Sequence, residues 1–451
     1  MEWSQLLISN RLSCPKEDHQ DKNRCRSQFE RDFDRIIFSS AFRRLNGKTQ
    51  VFPFPNTDLI HTRLTHSLET ASVGRSLGTI VGNAIDLKGA TFSVNLGSIV
   101  SAACLAHDIG NPPFGHSGEK AISTFFKSER GCEILLRSSS ELNELEIADF
   151  QEFEGNAMGF HVLTYSNPKK EKAPGGLRLT LPTLAAFSKY PRPSKIENKS
   201  EGISEHKPGI FQSDLGCFSE IAKELGMVEK NGRWYRHPLA FLTEAADDIC
   251  YTVMDFEDGY KNGLISFDLA SKCLKAICET ENYKDEILKV KNIIDKREKI
   301  GFLRAKAIDS LIHQAADVFI ENEKEILAGE FDKSLLDNIK TQKAICKINK
   351  ITKKDIYTYK PVIQVEAAGY KVLPGLLETF LNEIIKNRKN SKKGKKEESK
   401  ILELIPKEYK FNFKNDTYNA IMGITMYISG MTDHYAVDIY RNLQGIQLPN
   451  Y

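Results

Sequence analysis

Residues 97–119 read GSIVSAACLAHDIGNPPFGHSGE. The run from Ile99 to Ala106 carries no charge, so the spacing predicts a buried helix. Gly110 is expected to end it, and Pro112 and Pro113 to prevent its continuation. His116 and Glu119 then open another helix. Within thirteen positions, 107–119, stand four groups able to ligate metal or move protons: His107, Asp108, His116 and Glu119. One reading is a polar loop behind a buried helix. The other is half of a metal-dependent hydrolytic site, its second half elsewhere in the chain.

Outward from this stretch, most of the chain keeps a helical period. In RSQFERDFDRIIFSSAFRRL, Phe29, Phe33, Ile36, Ile37 and Ala41 share one face with charges opposite, and a helix begins near Arg63 after the turn VFPFPNTD. Two long loops are expected, at 167–176 and 191–209. MVEKNGRWYRHP, with Asn231-Gly232 between short apolar runs, predicts a small β-hairpin. HPLAFLTEAADDICYTVMDFEDGY reads as one long helix. The expected fold is all-α: an N-terminal arm over 1–28, a catalytic core over 29–265, and a helical C-terminal region over 266–451 packed on it. The basic run KNRKNSKKGKK, 386–396, has no interleaved aromatics and is expected to be a solvated loop.

The 451 residues suffice for one large core or several smaller ones. A net charge of +3 suits an anionic ligand held in one pocket better than a nucleic-acid-binding surface. Nine cysteines without a CxxC pair argue against a disulfide framework or zinc ribbon and for a reducing cytoplasm. No signal-peptide pattern and no membrane-length apolar run is visible.

His66 in RLTHSLET and the doublet Asp247-Asp248 in EAADDICY supply the missing half. Carboxylates inside an apolar helix are costly unless paired or ligating. His66, His107, Asp108 and one of the two later aspartates would make a four-ligand site for a divalent ion, with room for water.

His…His-Asp…Asp on separate helices resembles the HD-domain phosphohydrolases. The strings RIIFSSAFRRLNGKTQVF, HTRLTHSLE, HDIGNPPFGHSGE, FEGNAMGF, SKYP, KPGIF and EAADDICYTVMDFEDGY resemble more specifically the bacterial deoxyguanosine triphosphate triphosphohydrolases, as does YISGMTDHYAVDIYRNL at 427–443. Little between 266 and 426 matches. The family's frame, ligand then tyrosine four and an acid eight residues later, selects Asp247 with Tyr251 and Asp255.

The resemblance implies hydrolysis of dGTP, with other dNTPs as further candidates, to the deoxynucleoside and inorganic tripolyphosphate. It implies an HD-domain helical core, a metal such as Mn²⁺ or Mg²⁺, and a homo-oligomer, often a hexamer. His116 and Glu119 become an acid/base dyad, the carboxylate orienting the ring and raising its pKa. Arg63, Asn156, Lys189 and Lys207 grip phosphates; Tyr251 packs on the deoxyribose and Asp255 accepts from the 3′-hydroxyl. Gln50 and Val51 line the base pocket, and Arg441 reaches a phosphate of its own or a neighbouring subunit. A regulatory nucleotide or single-stranded nucleic acid is a further partner to test. The rivals are another HD phosphohydrolase, such as a nucleotidase or phosphodiesterase, and a nucleotide sensor without turnover.

Overall fold

A computed structural model describes residues 1–12, 26–52, 61–85, 92–136, 142–165, 176–195, 202–230, 233–279, 283–392, 399–410 and 416–446. The turn at 53–58, the loop at 167–175 and Asn231-Gly232 lie outside them.

Helices dominate. Those used below are α1 (Gln28–Ile37), α2 (Arg63–Ala84), α3 (Phe92–Ala106), α4 (Gly115–Lys127), α5 (Gly155–Thr164), α6 (Pro238–Lys261), α7 (Gln342–Ile351), α8 (Lys360–Lys392), α9 (Thr417–Ser429) and α10 (Asp433–Leu443). The expected hairpin is present as two short antiparallel strands, β1 (Glu229–Lys230) and β2 (Arg233–Trp234), with Glu229 opposite Trp234.

The segment around α1 departs from its expected single face. The helix stops at Ile37 and a second one starts at Ser40, capped by the Ser39 hydroxyl. Phe29 and Ile36 are buried, and so is Asp32, whose carboxylate takes the Arg11 guanidinium at 2.6 Å. The long basic run also differs. The helix α8 continues to Lys392, so the first part of 386–396 is helical where a loop was expected. Lysine, arginine and asparagine on a solvated face do not stop a helix already supported by packing.

The pair α2/α3 is the heart of the molecule. A β-carbon on Gly78 would lie 2.8 Å from the Leu96 carbonyl, and one on Gly82 2.6 Å from Ser93 Cα. Glycine one turn apart therefore lets the two backbones nearly touch. The helix α6 packs across this pair. One apolar core surrounds α2, α3 and α6; a second joins α4 and α5 to α8, α9 and α10. The turn from 107 to 116 runs between the two cores.

Candidate active site

The helix α3 ends at Ala106 rather than Gly110, so His107 and Asp108 stand on the turn that follows it. Gly110 has no left-handed backbone to act as a stop; its role is close approach. A β-carbon there would fall 2.0 Å from the Gly155 carbonyl and the Gly159 amide nitrogen of α5. The tight contact presses the ligand turn against α5.

His66 from α2, His107 from the turn and Asp247 from α6 converge, one donor atom of each lying within 4.8 Å of the others. Asp247 Oδ1 is 3.2 Å from His66 Nε2 and 3.3 Å from His107 Nε2. The other side of His107 and of Asp247 is already engaged. The His107 Nδ1–H donates to the Cys104 carbonyl at 2.6 Å, which leaves Nε2 as the donor to a metal. Asp247 Oδ2 takes the Lys189 ammonium at 2.5 Å. Burial opposes ionisation of Asp247, but Lys189 and His107 hold it well below the ordinary carboxylate range.

Asp108, the fourth expected ligand, lies outside that three-residue cluster. Its Oδ1 accepts from Arg63 Nη1 at 2.8 Å and from the Asn111 amide. Its Oδ2 is buried with no hydrogen-bond partner. A buried, anionic, partnerless oxygen is costly in protein alone. With two imidazoles and two carboxylates of the right softness, the residues fit a divalent ion such as Mn²⁺, Fe²⁺ or Mg²⁺.

His66, Asp108 and Asp247 form the floor of a cavity of about 580 Å³, with His107 set behind them against Asp247. Gln50, Val51, Arg63, His66, Asp108, His116, Asp247 and Tyr251 line it, so eight residues singled out in the sequence meet in one space. Asp248, set aside in favour of Asp247, lines it too, and burial beside Glu244 pushes its carboxyl up to about 8.

The remaining expectations fare differently. His116 Nδ1 stands 3.6 Å from Glu119 Oε2, too far for a hydrogen bond. Desolvation, then the charges of Arg63 and Lys207, lower the His116 pKa; the expected rise is not seen because Glu119 is itself pushed up by burial and turned to the Gly155 amide at 3.0 Å. Lys207 and Asn156 meet on Glu154, at 2.7 and 3.0 Å, beside Glu119. Glu154 was missed, although it sits inside FEGNAMGF. Lys189 is buried on Asp247 rather than free toward solvent. Asp255 is set behind the cavity surface, where it accepts the Tyr357 hydroxyl at 2.9 Å. Burial pushes its carboxyl up to about 8. Tyr251 and Tyr357 face each other across the cavity edge, ring centroids 6.1 Å apart. Arg441 is exposed on α10 and lines no part of the cavity.

The far wall comes from residues 334–366, where the sequence offered no match. Gln342, Cys346, Asn349 and Lys353 line it at intervals of four, three and four, one stripe down α7 and the π-helical turn Thr352–Ile356. Tyr357 and Glu366 complete it. The stripe was visible in the sequence as a periodicity, but nothing there marked it as facing a cavity.

The turn entering α4 is unusual. Phe114 has φ 64° and Gly115 φ 58°. A left-handed backbone at a bulky residue costs roughly 1–2 kcal/mol. The Phe114 amide donates to Asp433 Oδ1 at 3.0 Å, a bond to a carboxylate worth about 1.5–3 kcal/mol, enough to offset that cost. At Gly115 a β-carbon would lie 2.7 Å from Arg63 Nη2, so glycine gives the guanidinium its place beside Asp108.

The HD domain family model matches residues 63–172. The chain is 41% identical to a deoxyguanosinetriphosphate triphosphohydrolase-like protein of Synechocystis, covering 99% of this chain and 100% of that one. It is 38% identical, over 100% of both chains, to a protein of the same description from Pseudomonas aeruginosa. A deoxyguanosinetriphosphate triphosphohydrolase of Yersinia pestis is 30% identical over 99% of each chain.

Proposed function

Because the chain belongs to the HD-domain deoxyguanosinetriphosphate triphosphohydrolase family, we propose that it hydrolyses dGTP, and other dNTPs as further substrates, to the deoxynucleoside and inorganic tripolyphosphate. The observation that carries this reading is the convergence of His66, His107 and Asp247, with the partnerless Asp108 oxygen, on the floor of a cavity that Arg63 and His116 also line.

A divalent ion held by these four side chains, Mn²⁺ or Mg²⁺ first, would supply Lewis-acid stabilisation of phosphate charge. The chain's own groups do the rest. Water attacks the α-phosphorus, the bond to the 5′-oxygen breaks, and that oxygen needs a proton. His116, exposed to the cavity, is assigned to deliver it. Its surroundings hold the imidazole below its ordinary pKa, and the negative charge of a bound triphosphate acts the other way, so substrate binding and protonation reinforce each other. Glu119, Glu154, Lys207 and Asn156 form the polar network beside it. Arg63, buried and anchored on Asp108, offers its remaining donors to the α-phosphate. Lys189 fixes Asp247 and with Lys207 adds positive charge toward the triphosphate.

Tyr251 packs on the deoxyribose. Asp255 acts on the sugar through Tyr357, whose hydroxyl it holds. Gln50 and Val51 border the base. Arg441 does not line this chain's cavity, so a phosphate contact from it falls to a neighbouring subunit of a homo-oligomer. No helix among the described residues is long and apolar enough to cross a membrane. A cytoplasmic location, and a regulatory nucleotide or single-stranded nucleic acid as partner, belong to the same proposal.

The test is product analysis with each dNTP and GTP, with and without Mn²⁺, by anion exchange. Tripolyphosphate with deoxynucleoside is expected. Orthophosphate or pyrophosphate would indicate a different HD phosphohydrolase, and no turnover a sensor.

A further inference from the structure

One side chain ties the C-terminal helix α10 to two separate edges of the cavity. Asp433, 1% exposed and the first residue of α10, accepts from the Thr49 amide at 2.9 Å through Oδ2 and from the Phe114 amide at 3.0 Å through Oδ1. Thr49 leads directly into Gln50 and Val51, and Phe114 into Gly115 and His116, all of which line the cavity. Asp433 itself does not line it. A second tie joins the first two segments to the end of α9, just before α10: the buried Lys48 side chain donates to the Asn111 carbonyl at 2.5 Å and the Ser429 carbonyl at 2.6 Å. Packing closes the joint, since a β-carbon on Gly47 would lie 2.6 Å from Thr432 Cγ2.

We propose that Asp433 is a positioning residue for turnover: its two carboxylate oxygens clamp Thr49 and Phe114, fixing the left-handed turn and with it the separation between the Gln50–Val51 edge and His116. This rests on the function proposed above. The clamp explains why a segment so far along the chain belongs to the site, because α10 reaches the catalytic turn from behind without touching substrate. The metal ligands, on α2, on the first two residues of the turn after α3 and on α6, make no hydrogen bond to Asp433.

Asp433→Asn keeps the shape and one acceptor, but its amide group cannot accept the second N–H. The expected result is a kcat lowered about tenfold or more, with KM changed less than about threefold, as for a misplaced catalytic group. Mn²⁺ affinity, read by titration calorimetry, stays at the wild-type value. Hydrogen exchange in peptides covering 47–52 and 111–119 accelerates, while α2 and α3 exchange as before. Wild-type kcat with unchanged exchange at Phe114 would overturn the clamp. So would a joint loss of kcat, Mn²⁺ affinity and protection in α2 and α3, which marks a merely structural role. Should the Asn variant not fold, Asp433→Ser gives the same comparison. If the wild-type protein turns over no nucleotide, the functional reading falls, while exchange at 47–52 and 111–119 still decides the clamp.

Discussion

The floor and the far wall of the cavity share one space, yet their side chains are held differently. On the floor, His107 is bonded to Cys104 at 2.6 Å, Asp247 to Lys189 at 2.5 Å, and Asp108 to Arg63 at 2.8 Å. His107 and Asp247 each have one side occupied and the other turned to a common point with His66, and Asp108 keeps one oxygen unpaired beside them. Along the α7 stripe of the far wall the bonds join uncharged groups: the Thr252 hydroxyl reaches Asn349 at 3.3 Å, and Gln342 reaches the Cys346 sulfur at 3.1 Å, while Tyr357 at its end donates to the Asp255 carboxyl at 2.9 Å. Charge-assisted bonds are about twice as strong as neutral ones, so the floor is the stiffer surface. The contrast assigns the bond-breaking chemistry to the floor, where a small misplacement is costly, and substrate choice to the wall, whose side chains exchange partners at little cost.

The largest effect should follow from damage to the floor. His66→Ala or Asp247→Asn is expected to lower kcat about a thousandfold or more, and to abolish stoichiometric Mn²⁺ in elemental analysis. EDTA should do the same to the wild type, reversibly on adding Mn²⁺. Turnover that survives these changes would erase the division between floor and wall. A step below lies His116→Ala, with kcat down by about a hundredfold and metal content intact. Metal loss in that variant would tie His116 to the ligand set instead.

The wall is tested by selectivity. Glu366→Gln or Asn349→Ala should shift the ratio of kcat/KM between dGTP and the other dNTPs by about tenfold, roughly 1.4 kcal/mol, while kcat for the best substrate changes less than about threefold. Steady-state assays on the four dNTPs check this; a uniform loss on all of them would give the wall a part in the chemistry.

The smallest effect concerns stability at the entrance to α2. His61 is bonded to Asp258 at 2.7 Å and Glu69 at 3.2 Å. Burial alone would lower its pKa, but those carboxylates raise it from 6.5 to about 10. A raised histidine pKa stabilises the fold fully below about pH 6.5 and loses that contribution as pH rises through about 10. His61→Gln should therefore cost on the order of 2 kcal/mol at pH 6, measured by urea unfolding, and progressively less toward pH 10. An equal cost at both ends would mean packing, not charge.

The same contrast governs what could be read in advance. Metal ligands announce themselves because few physical reasons place two imidazoles and two carboxylates beside apolar helical runs. The helices carrying or leading into them were legible for the reason that α3 is uncharged throughout and α6 alternates at helical period. Second partners were harder. That Asp108 gives one oxygen to Arg63, or that Asp255 spends its acceptor on Tyr357, depends on rotamers and on which segments meet across the fold. The far wall was least legible: Gln342, Asn349 and Lys353 look like any solvated helical face, and only the tertiary arrangement turns that face inward. Gly110 was read as a helix stop and serves as a point of contact with α5, a distinction that rests on what packs against it.

The π-helical turn Thr352–Ile356 carries a consequence for how this wall can change. An α-helix advances about 100° per residue, so an inserted or deleted residue re-aims everything downstream by that angle. A π-turn holds one residue more than an α-turn, and here that excess sets the angle at which Tyr357 leaves the helix. Deleting one residue between 352 and 356 would swing Tyr357 away from Asp255 and out of the cavity while leaving its chemistry untouched. Chain length is then a variable of selectivity in its own right: the protein can redraw the outline of its pocket by counting residues, with no substitution among those that line it.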